Sequence, residues 1–418
     1  MKEERGGNAR SGCVACAEVA RSCHRDAARL AMGREALLAW YGVHRRVLPW
    51  REQPTPYHVW VSELMLQQTQ VATVCDYYAR WLARFPTLAD VAQAEEAEVL
   101  ALWSGLGYYR RARALWSGAR QVVARFGGEL PSEPGLLQTL PGVGPYTAGA
   151  IASIAFGRDV AAVDGNVARV LSRWCALGCA VDRGCGVRTL WQVASALVAP
   201  GPAGELNQGL MDLGSGVCTP RGPRCGACPL LPSCMAAASG DAESFPLGKA
   251  KVKRRLVVVA ALVVVDGAGR VLLGERRSGA LLGALWEPPM VELSRSEVVG
   301  RGAETPRQMQ VEAEQARASM EAWIQSSVVG LARRCRLAAG LGPVRHEFTH
   351  LRMRVWPWVL RVDGRVVGGS RVAAPGYGGW QWLGRTEWSC LGLSRLAEKV
   401  LEAGMAVVEA SPCTETGA

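Results

Sequence analysis

Two groups of side chains in this 418-residue sequence have the types and spacing to do chemistry. The first lies in Leu140–Arg169, LPGVGPYTAGAIASIAFGRDVAAVDGNVAR. Pro141 fixes φ, while Gly142 and Gly144 lose the most backbone entropy in a helix, so the three predict a tight hairpin between helices. The second of those helices is expected to start at Thr147 and run to Phe156. N–H groups at a helix start have no intrahelical partners and bind an anion well. Asp164 follows one helix later, and a phosphate seat beside a carboxylate suggests chemistry on nucleic acid. The second group is Cys218, Cys225, Cys228 and Cys234, spaced C-x6-C-x2-C-x5-C. Four thiols this close suit either an iron–sulfur cluster or tetrahedral zinc, and spacing alone does not separate the two. Arg221 and Arg224 inside the first loop would hold basic side chains toward a phosphate backbone.

The bulk charge agrees with an acidic partner. There are 48 Lys and Arg against 37 Asp and Glu, a net charge of +11, and nucleic acid is the usual partner of such a chain. Nearly all of the positive charge is arginine, the lysines being Lys2, Lys249, Lys251, Lys253 and Lys399. No apolar run reaches the roughly 18 residues of a spanning helix. Leu256–Val265 is β-branched and short, and reads as a buried strand. The N-terminus lacks the apolar region of a signal peptide. The expectation is a cytoplasmic, nucleoid-associated monomer without membrane contact, whose fourteen cysteines are thiols or metal ligands rather than disulfides.

The elements that must position these groups fall into two domains. Residues 1–34 read as a basic, disordered extension; Cys13, Cys16, Cys23 and His24 within it lack a matching second half for zinc. Residues 35–235 show apolar positions at three- and four-residue intervals, with breaks at Pro49, Pro54, Pro86 and Gly105–Gly107, and predict an all-α domain closed by the cysteine knot. A linker is expected at 236–254. The pattern then changes to RRLVVVAALVVVDGAGRVLLGERR, two β-branched runs joined by Asp266-Gly267, a hairpin signal. Further strands at Arg352–Val362 and Gln381–Leu383, with helices at Arg307–Gln325 and Leu393–Ala403, make 255–405 an α+β domain. Residues 406–418 read as a loose tail.

Five motifs in order carry a resemblance: LPWR (48–51), PYHVWVSELMLQQTQV (56–71), WSGLGYYRRAR (103–113), the LPGVGPYTAGAI hairpin and VDGNVARV (163–170). With LNQGLMDLGSGVC leading into the cysteines, they resemble the adenine DNA glycosylases of the MutY family, in the helix-hairpin-helix base-excision superfamily. The resemblance is dense over about residues 35–235 and looser over 255–405. It implies an all-α helix-hairpin-helix glycosylase domain whose four cysteines hold a [4Fe–4S] cluster, followed by a Nudix-like α+β domain. The partner it implies is double-stranded DNA carrying adenine opposite 8-oxoguanine or guanine.

Breaking an N-glycosidic bond requires an acid to protonate the departing base and a carboxylate beside the cationic sugar. By itself Glu63 reads as a solvated charge. The family match makes it the catalytic acid, protonating adenine N7, and the apolar Leu64, Met65 and Leu66 after it would help to raise its pKa. The same match makes Asp164 the group stabilising the sugar, with Tyr146 and Asn166 hydrogen-bonded around the pair. Tyr146 stands where the related endonuclease III enzymes have a Schiff-base lysine, and no lysine occurs between residues 3 and 248. A glycosylase that leaves the strand intact is therefore expected.

Extruding a base leaves a gap in the stack. The resemblance places Gln67, Gln68 and Tyr108 at the intercalating positions, and Arg46, Trp50, Leu66, Val71 and Gln208 around the adenine. Gly142, Gly144 and Arg169 belong with the DNA contacts. In the second domain GALLGALWEPPMVE (279–292) matches the family's Nudix-like version, yet no run of metal-binding glutamates follows Glu287. Phe348, Thr349 and His350 match the family's Phe-Ser-His loop for 8-oxoguanine.

Overall fold

Asp26 starts the first helix: its side chain accepts from the Arg29 N–H at 2.9 Å. Helix α1 (Ala27–His44) then buries Leu30, Leu37 and Tyr41. This corrects the expectation of disorder up to residue 34, because an aspartate cap and a buried leucine stripe suffice for a helix there. The computed structural model describes residues 26–247, 254–277, 282–297, 305–327, 335–348, 350–366 and 374–410. Cys13, Cys16, Cys23, His24 and Thr349 lie outside these residues.

Among the described residues up to 247 only helices and turns occur, as the pattern predicts. They are α2 (Pro49–Glu52), α3 (Pro56–Leu66), α4 (Val71–Arg84), α5 (Leu88–Gln93), α6 (Glu96–Leu102), α7 (Arg110–Phe126), α8 (Pro134–Leu137), α9 (Pro145–Phe156), α10 (Gly165–Trp174), α11 (Gly184–Val198), α12 (Ala203–Gly216) and α13 (Met235–Ala238). Pro49, Pro56, Pro134 and Pro145 each occupy a first helical position, where the missing N–H has no partner to lose. Helices α8 and α9 flank the hairpin. Gly142 takes φ 73° there, and a β-carbon on it would lie 2.6 Å from that of Ala114. Both facts demand glycine.

Two compact units result: described residues up to Gln93 with Arg113 onward to 247, and Ala94–Ala112 with the residues from Arg254. Sequence reading assigned 94–112 to the helical domain. Its side chains bond into the second unit instead: the Ser104 and Tyr109 hydroxyls both donate to the Leu393 carbonyl. The first unit is centred on α10, whose Val170, Leu171 and Trp174 join Leu30, Leu37, Leu197 and Leu206 in one core.

The second unit is a sheet of β1 (Arg255–Val265), β2 (Val271–Arg276), β3 (Trp286–Glu287), β4 (Met290–Glu297), β5 (Cys335–Gly340), β6 (Val344–Glu347), β7 (Leu351–Val362) and β8 (Tyr377–Leu383). Its spine runs β3-β2-β1-β7-β5, with β1 parallel to β7. Odd residues of β1, such as Val257 and Val263, pack toward α15 (Arg395–Ala410), whose last residues correct the reading of 406–410 as tail. Even residues, such as Val258 and Leu262, pack toward α14 (Pro306–Ser327). Cover on both faces explains why β1 is apolar without alternation. The Asp266-Gly267 signal does mark a β1–β2 turn, but a longer one than two residues: the Asp266 carboxylate accepts the N–H groups of Ala268 and Arg270.

Helix α14 is anchored by an ion pair between Glu312 and Arg354, at 2.7 Å, with both side chains under 10% exposed. Removing one member of such a pair takes away the opposite charge that offsets the other's burial. Glu312→Ala is expected to destabilise the C-terminal unit by about 3–5 kcal/mol, read as an earlier denaturant midpoint for that unit's transition.

Candidate active site

Helix α3 delivers Glu63 to the interior. Thr55 caps it, accepting from the His58 N–H, and Val59, Trp60, Val61, Leu64 and Met65 bury it on every side. Glu63 is 5% exposed. Tyr146, in the first turn of α9, donates its hydroxyl to Glu63 Oε2 at 2.5 Å. Burial pushes the Glu63 carboxyl up to about 7, with the Asp164 charge also raising it, against opposing effects of the Tyr146 hydrogen bond and Arg51. Burial likewise holds the Tyr146 hydroxyl well above its ordinary value.

Asp164 is the N-cap of α10. Its Oδ1 accepts the Val167 N–H at 2.7 Å and its Oδ2 accepts from Asn166 Nδ2 at 2.8 Å. Asn166 Oδ1 in turn accepts from Arg169, which also donates to the carbonyls of Gly214 and Cys218. Glu63, Tyr146, Asp164 and Asn166 line one cavity of about 670 Å³. Arg46, Trp50, Leu66, Gln67, Gln68, Val71, Arg169 and Gln208 line it too, so the expected adenine pocket and two of the expected intercalating residues share its wall. Trp50 is both pocket wall and core, 6% exposed and edge-on to Tyr78.

Gln68 and Tyr108 have positive φ, 62° and 49°, a strained conformation for such residues that is kept only where the surroundings impose it. Tyr108 is 48% exposed, whereas Tyr109 is buried. At the hairpin Gly142 and Gly144 are exposed, and α9 starts without a side-chain cap, so its first N–H groups stay open to an anion.

Sequence reading missed Asp212. Buried on α12, it accepts from Arg46 at 2.5 Å and from Arg51 at 2.7 Å, and so orients the arginine at the cavity wall. Its signal was available in retrospect, an acidic residue at an apolar helix position in LMDLG. A second cavity, of about 630 Å³, shares Arg46, Arg51 and Gln208 but contains neither Glu63 nor Asp164.

The four cysteines 218, 225, 228 and 234 line one small cavity together with Arg173 and Arg224. Arg173 Nη1 lies 3.4 Å from Cys218 Sγ, and the Cys234 thiol donates to the Arg173 carbonyl. Burial pushes the Cys228 thiol up to about 12, and the other three cysteines add to the effect. Among the described residues no three His, Cys, Asp or Glu side chains are grouped to hold a metal ion. In the second unit Phe348 directly follows β6 and packs against the core, with its ring 4.6 Å from that of His346, while His350 is exposed. Glu287 is engaged by Arg276 and Tyr377, at 2.6 and 2.8 Å.

Residues 61–180 match the model of the HhH-GPD superfamily of base excision DNA repair proteins, and residues 260–403 match a NUDIX domain. The adenine DNA glycosylase of Homo sapiens is 36% identical over 90% of this chain and 74% of its own length. The chain belongs to the adenine DNA glycosylase family. The corresponding protein of Schizosaccharomyces pombe is 33% identical over 76% of this chain and 79% of its own. A solved thermostable thymine-DNA glycosylase is 28% identical, covering 50% of this chain and 97% of its own at a TM-score of 0.47. The enzyme thus joins a helix-hairpin-helix glycosylase unit to a Nudix-like unit.

The raised Glu63 pKa has a consequence for stability. Between its unfolded value and about 7 the unfolded chain ionises this carboxyl while the folded one keeps it protonated, so stability falls as pH rises through that window. Glu63→Gln removes the penalty. The variant is expected to match wild type in Tm near pH 4 and to exceed it above pH 7, a difference thermal melts across that range would show.

Proposed function

We propose that this glycosylase excises adenine lying opposite 8-oxoguanine or guanine in duplex DNA, by hydrolysis and without cutting the strand, and that it acts as a monomer. The observation that carries the reading is the shared cavity of Glu63 and Asp164, in which burial keeps Glu63 protonated near neutrality. In its acid form Glu63 donates a proton to N7 of the extruded adenine, weakening the bond to the sugar. Tyr146 orients that carboxyl. As the base departs, the Asp164 carboxylate, fixed by Val167 N–H and Asn166, faces the developing oxocarbenium charge. Water completes the hydrolysis, with Glu63, now ionised, placed to take its proton. Arg46, Trp50, Leu66, Val71 and Gln208 enclose the base. Gln67 and Gln68, on the cavity wall, fill the space it leaves, and the exposed Tyr108 supplies a ring that stacks on bases. Gly142 and Gly144 seat a phosphate, and Arg169 braces Asn166 beside the DNA contact.

Strand cleavage of the Schiff-base kind needs an amine, and residues 3–248 contain no lysine. Cys218, Cys225, Cys228 and Cys234 would hold a [4Fe–4S] cluster. Four thiols around one cavity supply the thiolate set such a cluster needs, and membership of the family favours it over zinc. When bound, the cluster supplies a rigid thiolate-anchored centre with one-electron redox capacity; Arg173 and Arg224 stand around it. Opposite the adenine, Phe348, Thr349 and His350 read 8-oxoguanine. The support for this is the exposure of His350 between β6 and β7 and the packing of the nearby Phe348 against the core.

A duplex carrying adenine opposite 8-oxoguanine should become alkali-labile at the adenine and stay uncut without alkali. Asp164→Asn should abolish the labile product while duplex affinity is kept; substantial turnover by that variant contradicts the assignment. His350→Ala should lower the preference for 8-oxoguanine over guanine by roughly tenfold, the worth of one hydrogen bond. Competing single-turnover rates on the two duplexes measure this.

A further inference from the structure

The position of Asp164 depends on the stretch 157–163, which crosses from α9 to α10 without regular structure. Asn207, on α12, holds this arm. It is 1% exposed and lines neither large cavity. Its Oδ1 accepts the Ala162 N–H at 3.0 Å, and its Nδ2 donates to the Val160 carbonyl and to Ser153 Oγ, each at 2.9 Å. Acceptor and donor therefore meet the arm at residues two apart. A slip of one residue would break both bonds and leave a buried amide unsatisfied. The helices beneath leave the arm little room. A β-carbon on Gly149 would lie 2.1 Å from the Ala161 carbonyl oxygen, and one on Gly214 would lie 2.6 Å from Asn166 Cβ.

We infer that Asn207 is a positioning residue for base excision: by locking Val160 and Ala162 it sets where the Asp164 carboxylate stands relative to Glu63. The inference rests on the reading of Asp164 as the carboxylate that faces the sugar. An apolar side chain of similar size would fill the same space. It would not choose the arm's register. The buried amide does, through two bonds of opposite polarity, while its third bond, to Ser153, ties α12 to α9.

The test uses the full-length, cluster-loaded enzyme and single-turnover excision from an adenine:8-oxoguanine duplex across pH. Asn207→Ala is expected to slow excision by on the order of 10²-fold, as misplacement of a catalytic group does, with duplex affinity retained. The groups acting on Glu63 are Tyr146, Asp164 and Arg51. Displacing Asp164 weakens the one among them whose charge raises the Glu63 pKa, so the alkaline limb of the profile should move to lower pH. Ser153→Ala removes a bond from the same amide but none to the arm; it should lower Tm and keep the wild-type rate and profile. If Asn207→Ala lowers Tm but keeps the wild-type rate and pH profile, Asn207 is a structural residue only and the inference fails. If Asp164→Asn, run in parallel, excises adenine well, the underlying reading fails instead. Should Asn207→Ala not fold, Asn207→Asp keeps the acceptor for Ala162 and loses the donor to Val160. A wild-type rate and profile from that variant overturn the inference, and a slowed rate with the shifted limb supports it.

Discussion

Glu63 is a carboxyl where a folding chain gains nothing by having one. Desolvation at this depth disfavours its charged form, and a second carboxylate in the same cavity adds to that effect. The surrounding architecture offsets the cost. Trp60, Leu64 and Met65 pack α3 so fully that Glu63 cannot turn to solvent. Tyr146 satisfies one carboxyl oxygen, and Arg51, itself neutralised by Asp212, moderates the field. The same low-polarity setting that makes the residue unfavourable for stability keeps a proton available at neutral pH. On the proposed role of Glu63 as the acid, stability and function oppose each other at this one side chain.

Asp164 is held by the opposite means. It stands at the head of α10, where capping is favourable, so its placement strengthens the fold. Helix α10 then joins three regions. Its head carries the carboxylate, its buried face is the centre of the first core, and Arg169 and Arg173 reach the carbonyls of Cys218 and Thr219. A change in the cysteine segment therefore reaches Asn166 through Arg169, and Asn166 is one of the two donors on Asp164.

The second unit is built on different physics. Its centre is β1, buried on both faces between α14 and α15, with buried charges beside it held in pairs such as Glu312–Arg354 and Glu287–Arg276. Glu287 serves to hold β2 and β3 together and to receive Tyr377. His350, between β6 and β7, is exposed.

Much of this was legible in the sequence because it rests on short-range rules. Proline at first helical positions, the Gly-rich hairpin, the apolar periods of 35–235 and the β-branched runs after residue 255 are local signals, and they located the two folds. The ordered motifs, through the resemblance they carry, pointed to Glu63 and Asp164, which the fold brings to one cavity. Other features are tertiary. The caps at Asp26 and the packing of α15 extended the helices at both ends of the described chain. The attachment of 94–112 to the second unit depends on hydroxyls of Ser104 and Tyr109 meeting a carbonyl almost three hundred positions away. Asp212 and Asn207 look alike in sequence, each a polar residue on an apolar helix. Only the fold decides that one orients an arginine at the cavity and the other grips the arm before Asp164, because a side chain's hydrogen-bond partners are set by what packs against it and not by its neighbours in the chain.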